Sequence, residues 1–339
     1  MRAIAVTKSR VLLVLAMIAA GVMYGGSAAS AATVSINLCA LPGTATLTGA
    51  VTVPIWGFGI PTTPGDCSTA TASLPGPQLD VTLSATETTT VTFNVTNALP
   101  AGHSITFEIP GITFDAGPAD VDRGATLSRS FTAPQSPSAA GAANAAGTYL
   151  YGSGGNGGRQ QAMGLYGALI VRPSTAGQAY EPAATAYDVE APLVLSAVDP
   201  AFNNASPNAF NMYNYRATYW LINGQAYPDT TGITAAAGQR VLLRYVNAGY
   251  DNTTMMLLGM HEHVVAKDAR LLSSAYDASA DTIPAGATED VIATVPAGGG
   301  PSGHGFPLFN RQLHLTNADQ TGQSPLPLTG GGMLTFIHP

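Results

Sequence analysis

The sequence is poor in charged side chains. Lys, Arg, Asp and Glu make up 10% of its 339 residues, with 13 basic against 20 acidic. No cluster of Lys or Arg occurs, so the chain is a poor candidate for binding nucleic acid or an anionic membrane surface. A long amphipathic helical pattern is also missing, and this argues against a helical bundle.

Long apolar runs are equally scarce, and the longest lies near the N-terminus. Three cations precede an apolar run over Val11–Tyr24, and Ala29-Ser30-Ala31 fits a cleavage site. The run is too short to cross a bilayer comfortably, so residues 1–31 are predicted to be a secretory signal peptide rather than a retained anchor. Its removal leaves 10 basic residues (13 − 3) against 20 acidic ones. We expect a mature chain without a transmembrane segment that is secreted, periplasmic or at the cell surface.

Cysteine is nearly absent, with Cys39 and Cys67 the only two. In an exported protein such a pair is predicted to form one disulfide. A thiolate metal site is the weaker alternative, because both cysteines lie far in sequence from every histidine.

The abundant residues are Thr, Ser, Ala, Gly and Pro, arranged as short β patterns. Asp80–Leu83 and Thr90–Val95 alternate apolar and polar residues, as half-buried strands do, and turn signals flank them. Further strands are predicted over Ser104–Ile109, Thr126–Phe131, Gly147–Tyr151, Leu165–Val171, Leu193–Ser196, Thr218–Ile222, Val241–Val246, Thr254–Leu258, His263–Lys267, Asp290–Val295 and Met333–Ile337.

The strand pattern breaks once, and this predicts two domains. It stops at Arg172-Pro173 and resumes after a polar stretch that contains Pro and Ala. We therefore assign residues 32–173 to a first domain, 174–186 to a linker and 187–339 to a second domain. Each half ends in a Gly-rich turn and an apolar strand, which suggests two copies of one all-β sandwich.

A series of short sequence motifs occurs in a defined order along both halves. They are Pro75–Leu79, Asn97–Pro100, Ser104-Ile105, Gly147–Tyr151, Gly164–Val171, Tyr219–Gly224 and Leu242–Gly249. In this order they resemble the cupredoxin domains of the multicopper oxidases, and the resemblance extends over nearly the whole mature chain. It implies an all-β fold of two Greek-key cupredoxin-like β-sandwich domains.

The resemblance also implies where copper ligands would lie. The family binds a trinuclear copper cluster through paired His-x-His motifs, since residues i and i+2 of a strand share a face. The corresponding positions here hold Thr106 and Glu108 in one motif, and Gly152 and Gly154 in another. These four are interpreted as vacated ligand positions.

The second half departs from the family in the same way. Thr253–Met260 falls where the family's last domain carries H-P-M-H-L-H-G-H, and it contains no histidine. Leu313 falls near the position of the thiolate that a blue-copper centre needs, which makes such a centre very hard to build. The second half could instead match the copper-free middle domain of three-domain enzymes. Whether another chain supplies a third domain stays open.

Six histidines remain in the chain, and His261-Glu262-His263 is the sharpest pattern among them. Both imidazoles of a strand-borne pair could reach one metal, and Met255, Met256 and Met260 could add thioethers that favour Cu(I). We favour core packing for the methionines and a surface position for the histidines. His314, between two leucines, is expected at the edge of the core. The weak metal candidates are therefore His261, His263 and His314. No cofactor is expected, and copper is the one that the chain would bind if it binds any.

These observations predict a secreted, multicopper-oxidase-like protein that has lost its copper ligands and serves as a non-catalytic binding or structural module of the cell envelope. No catalytic residue is assigned, and the chain lacks a G-x-S-x-G motif. The alternatives are a copper-dependent oxidoreductase of the multicopper oxidase type and a copper-binding protein that uses residues 255–263. The partner is unknown, and a homo-oligomer is left open.

Overall fold

A computed structural model describes residues 32–139, 141–155, 158–206, 211–301, 303–317 and 331–339. The predicted signal peptide, residues 1–31, lies outside them. All described residues belong to one compact unit, so the division into two domains with a linker stays a prediction. Within the described ranges, no helix is long and apolar enough to cross a membrane.

The first half of the chain forms two facing sheets. Their strands are β1 (Ala32–Leu47), β2 (Val51–Gly59), β3 (Leu79–Thr82), β4 (Thr89–Asn97), β5 (Thr126–Ala133), β6 (Gly147–Gly152) and β7 (Tyr166–Arg172). One sheet has the order β2-β1-β4-β5 and the other the order β3-β7-β6. A short helix, α1 (Arg159–Met163), lies between β6 and β7. We call this half the first sandwich.

Strand β4 shows why these residues form a sandwich. Val91, Phe93 and Val95 are fully buried, while the residues between them are half-buried. This period-two alternation turns one face of the strand to the core and the other outward. The Phe93 ring contacts Phe107 and Phe131 at centroid distances of 5.1 and 6.2 Å.

The second half repeats the architecture. Its strands are β8 (Val189–Val198), β9 (Tyr219–Ile222), β10 (Ile233–Thr234), β11 (Arg240–Asn247), β12 (Thr253–Leu257), β13 (Glu262–Lys267), β14 (Arg270–Ala278), β15 (Ala280–Ile283), β16 (Thr288–Thr294), β17 (Phe306–Asn310) and β18 (Leu334–His338), with a short helix α2 (Pro200–Asn204). The sheets have the orders β10-β18-β17-β12-β15 and β14-β13-β16-β11-β8-β9. We call this half the second sandwich, and the all-β prediction is confirmed.

The predicted disulfide is present. Cys39 on β1 bonds to Cys67 in the 3₁₀ turn that follows β2, across 28 residues and with a Cα–Cα distance of 5.6 Å. It ties the loop after β2 to the middle of the sheet.

Some strand predictions were wrong. Ser104–Ile109 is not a strand, and only Ile105 and Glu108 form isolated bridges, to Val121 and Gly152. Its backbone groups are shared among several partners, which prevents a continuous ladder. Strands β1, β2, β10, β14, β15 and β17 were not predicted.

Candidate functional site

The four positions interpreted as vacated copper ligands lie on two neighbouring segments. Glu108 N donates to Gly152 O and Gly152 N donates to Glu108 O, both at 2.9 Å. Thr106 N donates to the Ser153 hydroxyl at 3.0 Å. The fold therefore brings the Thr106/Glu108 and Gly152/Gly154 pairs side by side, as the resemblance implies. Their side chains supply a hydroxyl and an exposed carboxylate, and no imidazole.

A buried hydrogen-bond network fills the space between these segments. The Ser153 hydroxyl donates to Gln160 Oε1 at 2.5 Å, and Gln160 Nε2 donates to Ser104 O at 2.6 Å. Gln160 on α1 is fully buried, and Ser153 is 2% exposed. Neutral hydroxyl, amide and carbonyl groups thus satisfy one another, which stabilises a buried polar site without a cation.

The two glycine positions differ in the space around them. A Cβ on Gly152 would lie 2.9 Å from Leu165 O, whereas a Cβ on Gly154 would have no atom within 4 Å. The Leu165 carbonyl cannot move away easily, because it accepts a hydrogen bond from Ser153 N at 3.0 Å. A side chain at position 152 therefore needs a backbone shift, so the paired-histidine arrangement does not fit this backbone.

An aromatic and cationic cluster lies beside this network. The Arg159 guanidinium lies 4.6 Å above the Trp56 ring, and the His103 ring lies 4.7 Å from the same ring. Burial lowers the pKa of His103, and the nearby charge of Arg159 lowers it further. These groups favour a neutral imidazole at His103.

His263 lies on β13, and His261 is the residue just before that strand. Both line a cavity of about 460 Å³ on the second sandwich, together with Asp277 of β14. His263 Nδ1 lies 2.7 Å from Asp277 Oδ1. Glu262, between the two histidines, points inward and is 1% exposed.

The three methionines near the two histidines differ in burial. Met256 is half-buried and lies outside the core cluster, and Met260 also lines the histidine cavity. Met255 is fully buried and Met260 is 7% exposed, and both belong to the core of the second sandwich. The core interpretation of these two residues is therefore confirmed.

His314 lies at a different place, half-buried at the core edge as expected. Its ring stacks on Trp220 with a centroid distance of 4.3 Å and an interplanar angle of 14°. Burial lowers the pKa of His314. Trp220 in turn lines a groove of about 1030 Å³ that also contains Tyr215, Tyr219 and Tyr250.

The structure thus brings together His261 and His263, while His314 is not part of the lining of their cavity. Across the ranges that the structure describes, no group of three or more His, Cys, Asp or Glu side chains is arranged to hold a metal ion. Sequence reasoning missed Asp277 because β14 was not predicted. It assigned no role to Gln160, whose contact with Ser153 depends on the path of the chain from β6 into α1.

Comparisons with known proteins agree with the resemblance. Residues 62–176 match the family model described as multicopper oxidase. No curated protein matches the chain significantly. The blue copper oxidase from Nitrosomonas europaea is similar with a TM-score of 0.70 and 21% identity, covering 90% of this chain and 86% of that one. For the multicopper oxidase mgLAC the TM-score is 0.68, the identity 19% and the coverage 90% and 86%.

A third solved structure extends the comparison to another copper protein. The copper nitrite reductase from Nitrosomonas europaea gives a TM-score of 0.65 and 20% identity, covering 90% of this chain and 93% of that one. At these identities the structures show a shared fold, the cupredoxin-like β-sandwich. The match of residues 62–176 to the multicopper oxidase model confirms the predicted resemblance over that part of the chain, and the solved structures extend the shared fold to 90% of it.

Proposed function

We propose that this relative of the multicopper oxidases is an exported cupredoxin-type protein that has lost the family's copper ligands. It serves as a non-catalytic binding or structural module of the cell envelope. The observation that carries the proposal is the closed position at Gly152, next to the neutral Ser153–Gln160 network. Burial of apolar side chains holds the sandwich together, so the fold does not need a metal.

Two further observations support parts of this proposal. The Cys39–Cys67 disulfide suits an oxidising compartment, as does the predicted signal peptide. The core positions of Met255 and Met260 weigh against a copper carrier that uses thioethers from residues 255–263. The names of the similar structures describe copper enzymes, but the residues of this chain do not fit the copper cluster of such enzymes.

Metal analysis tests the proposal. The protein is expressed with copper available, dialysed against a chelator and analysed by mass spectrometry, with oxygen uptake measured in the presence of a reducing substrate. We expect copper at background and no oxygen uptake. The double variant His261→Ala/His263→Ala is the matched control, because it removes the one histidine pair at a shared cavity. About one copper or more per chain, retained equally by both proteins, would overturn the proposal.

A further inference from the structure

The cavity beside β13 combines groups that the proposed function does not use. Its lining contains two imidazoles, one carboxylate and the apolar side chain of Ile292. We infer that His261 and His263 form an exchangeable site for a borderline divalent metal ion of the Zn²⁺ or Cu²⁺ class, with Asp277 orienting the His263 ring. This inference does not rest on the proposed function.

One cavity brings the two imidazoles together. His263 lies on β13 and His261 is the residue just before that strand, while Glu262 between them is 1% exposed and points into the core. His261 is exposed, and the side chain of His263 is 46% exposed. Both line the same cavity, so a metal ion can approach both rings from solvent.

Asp277 provides the second, independent feature of a metal site. It lies directly opposite His263 in the β13–β14 register, and its Oδ1 is 2.7 Å from His263 Nδ1. A carboxylate that accepts the Nδ1–H bond fixes the tautomer and leaves the Nε2 lone pair free for a metal. Carboxylate–histidine pairs of this kind are typical partners of metal-binding imidazoles.

The donor set decides the class of metal. Imidazole nitrogen suits Zn²⁺ and Cu²⁺, whereas Cu(I) prefers soft thioether or thiolate ligands. Met260 lines the cavity, but its side chain packs into the core and is 7% exposed. Arg240 also lines the cavity, and its Nη2 donates to Ala184 O at 2.6 Å. Its charge opposes a cation, which favours weak and reversible binding.

Two protein ligands are fewer than a closed structural site has, since structural zinc sites use four. Water must complete the coordination here, and this also predicts an ion that exchanges with solvent.

Calorimetric titration with Zn²⁺ tests the inference on the purified, tag-free protein. We expect saturable binding of one ion per chain in the wild type, and its loss in His261→Ala and in His263→Ala. The Asp277→Asn variant keeps the shape of the side chain and should bind roughly 10- to 100-fold more weakly. His304→Ala is the matched control, because His304 is exposed and does not line this cavity.

Electron paramagnetic resonance with Cu²⁺ gives a readout that does not depend on affinity alone. We expect a nitrogen-coordinated Cu²⁺ signal in the wild type and in His304→Ala, and its loss in both cavity histidine variants. No saturable binding in the wild type would overturn the inference, as would binding that survives both variants. An unchanged affinity in Asp277→Asn would overturn the positioning role of Asp277. These outcomes differ from failure of the proposed function, which requires copper that survives chelator dialysis in the double variant.

Discussion

At the scale of single residues, Gly152 and Gly154 differ, although the resemblance implies a histidine at both positions. If the backbone here left room for such a pair, both positions should accept a side chain equally well. The surroundings differ, since a Cβ at Gly152 meets the Leu165 carbonyl at 2.9 Å and a Cβ at Gly154 meets nothing within 4 Å. The Leu165 carbonyl therefore blocks a side chain at position 152, whereas position 154 has room for one.

The matched variants Gly152→Ala and Gly154→Ala test this difference. We expect Gly152→Ala to lower the free energy of unfolding by about 1–3 kcal/mol, because the methyl group forces a backbone shift in a packed site. Gly154→Ala should change it by less than about 0.5 kcal/mol, as surface substitutions usually do. Urea denaturation monitored by fluorescence measures both. Equal effects of the two substitutions would contradict the closure of position 152.

At the scale of elements, one lysine of the second sandwich forms ion pairs with two carboxylates, and the three residues lie on three different strands. Lys267 Nζ on β13 lies 2.7 Å from Glu289 of β16 and 3.1 Å from Asp281 of β15. Glu289 is 2% exposed, and its pKa rises to about 7 because burial outweighs the attraction of Lys267, with Asp281 and Asp290 adding repulsion. Glu262 is a further nearby acid. The less buried Asp281 keeps a lowered pKa through its hydrogen bonds.

This arrangement predicts stability that falls as pH rises. The folded state holds the Glu289 proton more tightly than the unfolded state, whose pKa lies near 4.5. Its contribution to stability is therefore complete below pH 4.5 and is lost as pH rises through about 7. A difference of one unit between the folded and unfolded pKa corresponds to about 1.4 kcal/mol. We therefore expect the free energy of unfolding to fall by a few kcal/mol.

Urea denaturation from pH 5 to 9, in the presence of a chelator, measures the effect. Glu289→Gln should reduce the loss of stability without abolishing it, because the amide does not titrate but burial also raises the pKa of Glu262, to about 8. Asp281→Asn should move the loss of stability to lower pH, because it removes a repelling charge and leaves Lys267 to Glu289 alone. A Glu289→Gln profile identical to that of the wild type would refute the assignment.

The strands also differ in how well the sequence predicted them. Strands with clear period-two burial, such as β4, were found, because the sequence pattern and the packing agree. Strand β1 was missed because Pro42-Gly43 resembles a turn. Its pairing with β4 ends at Ala40, so Pro42 lies where a missing N–H costs no hydrogen bond to β4. Strand β14 was missed because most of its residues are exposed, which leaves no alternation to detect.

The candidate sites were predictable only in part, for a related reason. The pair His261/His263 was found from its i, i+2 spacing, and the structure places both at one cavity, although His261 precedes β13 and is not part of the strand. Asp277 and Gln160 reach their partners across strands and loops. Such contacts depend on register, which a single sequence specifies only through patterns of burial and turns. The space around Gly152 depends on the path of the Leu165 backbone and has no signature in the sequence.

At the scale of the whole molecule, the two sandwiches share apolar and polar contacts. Leu150, Tyr166 and Ala168 of the first sandwich form one cluster with Val194 and Val246 of the second. A second shared cluster joins β1 and β2 to β8 and β9. Surfaces buried in this way would be exposed to water if either sandwich unfolded alone, at a cost proportional to the apolar area.

A buried charge network lies at the same junction. The side chain of Arg244 is fully buried; its Nε donates to Glu190 at 2.6 Å and its Nη1 to Asp290 at 3.2 Å. Asp290 also accepts hydrogen bonds from Thr148 of the first sandwich and from the Tyr180 hydroxyl. Since a buried charge without its partner is strongly destabilising, both halves depend on the integrity of this network.

These contacts predict that the two sandwiches unfold as one cooperative unit. Differential scanning calorimetry should show a single transition with equal calorimetric and van't Hoff enthalpies. Asp290→Ala leaves Arg244 partly uncompensated and should cost about 3–5 kcal/mol, shifting the whole transition to lower temperature. Asp120→Ala, which removes an exposed carboxylate from the first sandwich, is the control and should leave the transition in place. If Asp290→Ala moves only part of the heat absorption, the sandwiches unfold independently, and the shared clusters do not couple them.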